Sequence, residues 1–115
     1  METMNVQEPW YSYLRTGRKS YECRLYRGKF TRWHRGMKIE IINNDSFFIL
    51  PIIEVYHFST FREALEKLGT RKDDDKVGIE NILPGIESIE EGTEIYRSFY
   101  PKDLEKIYGV VVFKF

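Results

Sequence analysis

The sequence predicts an α+β domain in which a small, partly open β-barrel of mixed strands carries helices against it. Three observations predict this. Strand-like runs follow one another through short turns between residues 20 and 58, which favours antiparallel pairing. Two capping boxes then open helices whose apolar residues recur at helical spacing. The chain closes on Val110-Val-Val-Phe-Lys-Phe115, a β-branched and aromatic run that suits the inside of a sheet. An open α+β sheet layered on helices satisfies the same order of elements.

The first element expected is a short helix after Pro9, stopped by Gly17, with Trp10, Tyr13 and Leu14 on one face. A strand follows over about Ser20 to Tyr26. It alternates, with Tyr21, Cys23 and Leu25 on the apolar side and Ser20, Glu22, Arg24 and Tyr26 on the other. Arg35-Gly36 reads as a turn into a strand over Met37 to Ile42, with Ile39 and Ile41 inward. Asn43-Asn44-Asp45 is a strong turn signal. It leads into one long strand, Phe47 to Phe58, where Pro51 implies an edge or a bulge. Thr60-x-x-Glu63 opens a helix with the apolar face Phe61, Ala64, Leu65 and Leu68, closed by Gly69. Asp73-Asp74-Asp75 reads as a solvated loop, because three adjacent carboxylates repel one another and do not converge on a metal. Pro84-Gly85 is a turn. Ser88-x-x-Glu91 opens a second helix carrying Ile89, Tyr96 and Phe99, which Pro101 interrupts and Gly109 ends.

Length and composition set outer limits. At 115 residues the chain is expected to form one domain, 1–115, with an ordinary core. The single cysteine, Cys23, excludes an intrachain disulfide and fits a reducing, cytoplasmic setting. No signal peptide is expected at the start, and the longest apolar stretch is too short and too interrupted to span a membrane. His34 and His57 lack a second ligand at metal spacing, and neither a phosphate loop nor a dinucleotide fingerprint is present, so no metal or cofactor is expected.

The net charge is zero, yet the charges are segregated. Residues 15–38 hold nine of the 18 Lys/Arg and one of the 18 Asp/Glu, Glu22, which makes that stretch +8 and the remainder −8. Tyr21, Tyr26, Phe30 and Trp33 are interleaved with those cations. Lys and Arg neutralise phosphates and aromatic faces stack unpaired bases, so the segment has the composition of a nucleic-acid grip. Tyr21, on the apolar side of its strand, suits the core. Trp33, flanked by Arg32, His34 and Arg35, suits either stacking or the core. Charge on a strand costs free energy unless it is paired or used, which singles out Arg18, Lys19, Glu22 and Arg24. Glu22 and Arg24 share a strand face and can pair. Lys19 opposes Glu22 in a regular strand and meets it only if the chain bends, as Gly17 permits. A desolvated lysine among arginines is a candidate base or nucleophile. Cys23, on an apolar face, reads as a small buried hydrophobe rather than a nucleophile.

Gly17-x-Lys19-x-x-Glu22-x-Arg24 resembles the G-x-K-x-x-E-x-R signature of the ASCH domain, a branch of the PUA-like superfamily. The resemblance extends to the preceding helix, to Arg35-Gly36-Met37-Lys38-Ile39, to Val55 through Phe61, to Leu83-Pro84-Gly85, to the helix carrying Tyr96 and Tyr100, and to Gly109-Val110-Val111-Val112. It implies a PUA-like pseudo-barrel with a cleft beside the motif that binds RNA, a nucleotide or a modified nucleoside. The ligand-binding residues expected there are Arg18, Lys19, Glu22, Arg24, Trp33 and Tyr100. One branch of the family hydrolyses the acetyl amide of N4-acetylcytidine with a lysine, a threonine and a glutamate, and another member is linked to RNA cleavage. An enzymatic alternative therefore assigns catalysis to Lys19 and Glu22. Glu22 stands where that amidohydrolase branch has its threonine, and an ionised carboxylate cannot act as a hydroxyl donor. Glu87, Glu90 and Glu91 lie in the approximate region of the branch's glutamate. A third reading is a protein-interaction module docking through the acidic helix face Glu87, Glu90, Glu91 and Glu94. No membrane partner is expected, and the oligomeric state stays open.

Overall fold

A computed structural model describes residues 1–69 and 79–115. The loop expected at Asp73-Asp74-Asp75 lies outside the described residues. The chain is mixed α+β. It begins with a strand that the sequence reading lacks, β1 (Glu2–Asn5), followed by α1 (Trp10–Thr16) and β2 (Tyr21–Leu25). A 3₁₀ turn spans Gly28–Arg32. Then come β3 (Lys38–Asn43), β4 (Ser46–Pro51), β5 (Glu54–Phe58) and α2 (Phe61–Gly69). The remainder is α3 (Ile79–Ile82), α4 (Ile89–Phe99), α5 (Lys102–Tyr108) and β6 (Val110–Lys114). Among the described residues no helix is long and apolar enough to cross a membrane.

The strands form two three-stranded sheets, ordered β1-β3-β4 and β2-β6-β5, rather than one closed barrel. Pairing is antiparallel except between β1 and β3, which run parallel. The single long strand expected over Phe47 to Phe58 is two strands in different sheets. Pro51 ends β4, where its missing N–H costs nothing at a sheet edge. Ile52 is still bonded to the first sheet, its N–H donating to Met37 C=O (2.8 Å). Ile53 already belongs to the second, its N–H donating to Lys114 C=O (2.7 Å). The chain thus turns a corner between sheets over two residues.

Local signals are otherwise honoured. Gly17 ends α1 in the left-handed conformation (φ 82°), which only glycine adopts without strain. Pro9 caps α1 rather than occupying its first turn. Asn44 and Asp45 link β3 to β4 as a two-residue hairpin, Asn44 taking φ 52°, a left-handed angle that asparagine tolerates. Thr60 Oγ1 accepts from Glu63 N–H (3.0 Å), while the Glu63 carboxylate reaches back to Ser59 N–H (3.4 Å). Ser88 Oγ accepts from Glu91 N–H (3.1 Å). The buried Glu105 carboxylate of α5 accepts from Phe61 N–H (3.0 Å) and so serves a second free donor at the start of α2.

β6 divides the core. Val110 and Val112 face one apolar cluster with Tyr21, Cys23, Leu25, Phe61, Leu65 and Tyr96, between this sheet and the helices. Val111 and Phe113 face the other, with Met4, Tyr11, Leu14, Trp33, Ile39 and Ile41, between the two sheets. Burial on both faces explains the unbroken apolar run of β6. Phe113 is fully buried against the rings of Trp33 (5.2 Å) and Phe30 (6.1 Å). Phe113→Ala is therefore expected to lower stability by about 3–5 kcal/mol. In urea titrations that loss is read as a lower midpoint at an unchanged m value.

Candidate ligand-binding site

The two sheets leave a gap between their edge strands β1 and β2, and the motif lies there. After the left-handed turn at Gly17 the chain runs irregularly, held by Lys19 N–H to Tyr13 C=O (3.0 Å) and Ser20 N–H to Asn81 C=O (2.8 Å). Lys19 lies outside β2, so strand parity does not govern it, and the bend brings it to Glu22. Its Nζ stands 3.8 Å from Glu22 Oε1, while Arg24 Nη2 stands 3.7 Å from Oε2. Both lie beyond hydrogen-bond range.

The hydrogen bonds that these cations make go to main-chain carbonyls. The fully buried Lys19 ammonium donates to the main-chain oxygens of Tyr21 and Ile82. Arg24 Nη2 donates to Asn5 C=O (2.8 Å), linking β2 to β1 across the gap. Among the described residues neither oxygen of Glu22 accepts a hydrogen bond, although the side chain is only 9% exposed.

These groups line a cavity of about 150 Å³. A cavity of this size can admit one aromatic ring. Asn5, Val6 and Gln7 supply one wall. Lys19, Glu22, Cys23 and Arg24 supply the floor, and Trp10, Leu83, Ile95, Tyr96, Phe99 and Tyr100 the remainder. Tyr96 and Tyr100 both stack in parallel with Phe61, at 4.5 and 5.1 Å, which fixes their ring planes. The buried Tyr96 hydroxyl sits beside the Cys23 thiol and has no oxygen or nitrogen partner among the described residues. Burial pushes its pKa well above the ordinary phenol value. The Tyr100 phenol is also raised by burial, against the opposing charges of Arg24 and Arg27. Both hydroxyls therefore remain donors at neutral pH.

The edge of β2 adds main-chain groups. Ser20 C=O and Tyr26 N–H bond to Phe115 N–H and Gly109 C=O. In the antiparallel ladder this alternation turns the peptide groups of Glu22 and Arg24 toward β6 and those of Tyr21, Cys23 and Leu25 toward the free edge. Lys19 takes up Tyr21 C=O and Arg27 N–H takes up Leu25 C=O. The N–H and C=O of Cys23 are left facing the cavity it lines.

Lys19, Glu22, Arg24 and Tyr100 therefore meet in one cavity. Arg18 does not join them: it pairs with Glu80 (2.7 Å) and covers the Tyr13 ring (4.7 Å). Trp33 is buried in the core edge-on to Phe30 (4.9 Å), away from the cavity lining. The acidic residues Glu87, Glu90, Glu91 and Glu94 are exposed, and Glu90 pairs with Arg62 (3.2 Å). Asn5 and Gln7 went unrecognised because β1 did, whereas Trp10 was read as part of the apolar face of its helix. Ile95, Tyr96 and Phe99 could have been found from their helical spacing to the expected Tyr100, which puts one helix face over the motif.

The family model of the ASCH domain matches residues 4–115. The crystal structure of the hypothetical protein PH0355 is 36% identical and superposes with a TM-score of 0.82, over 99% of this chain and 96% of that one. The solution NMR structure of protein PF0455 from Pyrococcus furiosus is 34% identical with a TM-score of 0.73, over 98% of this chain and 93% of that one. No curated protein matches the sequence.

Two outcomes follow from the geometry. Lys19→Met strips two buried carbonyls of their donor and leaves Glu22 with one cation, so it should cost about 3–5 kcal/mol in urea unfolding. The Cys23 thiol is pushed up to about 11 by burial, against the lowering charge of Lys19. Relative to an ordinary thiol of pKa 9.0, that shift cuts the thiolate fraction about a hundredfold at pH 8. Alkylation by iodoacetamide at pH 8 should therefore be at least about a hundredfold slower in the native protein than in urea.

Proposed function

We propose that this chain, which belongs to the ASCH domain family, is an RNA- or nucleotide-binding module that takes the edge of an unpaired base into the cavity between β1 and β2. The finer architecture follows the same reading: the β4–β5 corner joins the two sheets into a PUA-like barrel left open at the β1–β2 gap, and the gap is the ligand site. One observation carries the reading. Glu22 is a largely buried carboxylate on the cavity floor, held between two cations that hydrogen-bond to main-chain carbonyls instead of to it, and among the described residues its oxygens accept no hydrogen bond. Those oxygens face the cavity with acceptor positions open, so the arrangement suits a ligand that brings N–H groups. A phosphate would meet the Glu22 charge inside the cavity, so it belongs at the rim, with the exposed cations of the tract.

The charged tract supports the rim role only in part. Arg18, Arg24 and Arg32 stand within ion-pair distance of Glu80, Glu22 and Glu2, and Lys29 donates to Thr3 C=O. Among the described residues Arg15, Arg27, Arg35 and Lys38 have no carboxylate partner and remain for phosphates.

Affinity for a short single-stranded RNA, followed by fluorescence anisotropy, should fall between 50 and 200 mM salt. Arg27→Ala should flatten the log–log slope by about 0.7, the contribution of one phosphate on a single strand. Glu22→Ala should weaken binding at every salt concentration and leave the slope unchanged. Affinity that does not respond to salt would remove phosphate contacts from the reading. Affinity that does not respond to Glu22→Ala would remove the cavity.

A further inference from the structure

We propose that the base taken by this cavity is guanine, recognised by its Watson–Crick edge with Glu22 accepting from both N1–H and the 2-amino group. The inference rests on the base-binding reading above and names which base that reading selects.

The argument is one of donors and acceptors. Glu22 offers two acceptor oxygens and no donor. Lys19 and Arg24 approach the two oxygens at 3.8 and 3.7 Å, one on each. This fixes the carboxylate plane and leaves hydrogen-bonding positions on both oxygens open. A carboxylate so held accepts best from two parallel N–H groups, as it does from an arginine fork. Among the four common bases only guanine presents two adjacent donors on that edge. Adenine and cytosine set a ring nitrogen lone pair beside their amine, which would face a carboxylate oxygen. Uracil sets a carbonyl on either side of its single N–H. For each of these, one or both oxygens of Glu22 would meet an acceptor at close range.

The rest of the cavity fits the same edge. Guanine O6, next to N1–H, needs a donor. The N–H of Cys23, which the ladder turns toward the open edge of β2, is a donor that the lining offers. The volume admits one ring, so the six-membered ring enters and the five-membered ring stays at the mouth. There Trp10, Phe99 and Tyr100 offer aromatic surface, and Phe99 is 48% exposed, as a residue at an entrance is. Sequence preference would thus come from one acidic side chain inside a basic segment.

The experiment titrates the intact protein with uridine pentanucleotides whose central base is guanine, inosine, adenine, cytosine or uracil. Guanine should bind most tightly. Inosine keeps N1–H and O6 and lacks only the 2-amino group, and should bind about tenfold or more weakly, the loss of one hydrogen bond to a charged group. Glu22→Gln replaces one acceptor oxygen by an NH2 that meets a guanine donor, so guanine should lose its advantage over inosine while the variant melts within a few degrees of the parent. If that variant does not fold, the guanine–inosine comparison in the parent decides alone. Inosine bound as tightly as guanine, or any other base bound more tightly, overturns the guanine assignment and leaves base binding standing. Failure of all five pentanucleotides to bind overturns base binding itself, and the assignment with it.

Discussion

The buried Lys19–Glu22–Arg24 group holds the open seam of this fold together. β1 and β2 are edge strands of different sheets and share no ladder. What spans them is a side chain: Arg24 leaves β2, passes Glu22 and ends on Asn5 C=O of β1. Lys19 closes the other side, tying the start of β2 to the end of α3 through Ile82 C=O. A closed ladder would have filled the seam with backbone. Charged side chains fill it with fewer bonds, and the space left over is the cavity.

Such a seam is expensive, which bears on its purpose. Removing a lysine and a glutamate from water costs several kcal/mol each before their attraction repays it. Attraction at 3.7–3.8 Å without a direct hydrogen bond repays less than a well-formed pair does. Apolar side chains of similar volume would close the same gap at lower cost. Each cation hydrogen-bonds to a main-chain carbonyl, whereas among the described residues the carboxylate accepts no hydrogen bond. The imbalance therefore sits on one residue. It makes Glu22 the part of the seam that stability alone does not explain.

The sequence disclosed a good deal of this, for identifiable reasons. Capping boxes at Thr60 and Ser88, the stop at Gly17 and the hairpin at Asn44-Asp45 depend on local chemistry, and local chemistry is written in neighbouring residues. β6 could be read because both its faces are buried, which demands an unbroken apolar run. β1 could not, because four residues pairing with a strand over thirty positions later carry no local period. The split of the expected Phe47–Phe58 strand also escaped: Pro51 announced an irregularity, and only the second sheet could show that the irregularity was a corner. In the site, the eight-residue motif marked Lys19, Glu22 and Arg24, and the bend after Gly17 settled the parity that kept Lys19 apart from Glu22. Trp33 was ambiguous because its neighbours Arg32, His34 and Arg35 are charged. The 3₁₀ turn sends those outward and Trp33 inward, where Phe30 and Phe113 receive it.

The basic tract takes on a different meaning in this light. Lys29 and Arg24 both donate to main-chain oxygens of β1, at Thr3 and Asn5, and Arg32 stands near Glu2 on the same strand. An exposed strand edge invites pairing with another chain, and proteins often blunt such edges with positive side chains. Three of the nine cations in residues 15–38 thus serve the edge of β1, and a fourth, Lys19, serves the edge of β2. Much of the +8 excess is therefore structural. Composition alone would assign the whole tract to a nucleic-acid surface, and the geometry divides it. The edge-serving cations make the seam. The cations left without carboxylates among the described residues, Arg15, Arg27, Arg35 and Lys38, are exposed and are the ones that remain for phosphates. Selectivity for a ligand would then depend on the seam more than on the surface charge around it.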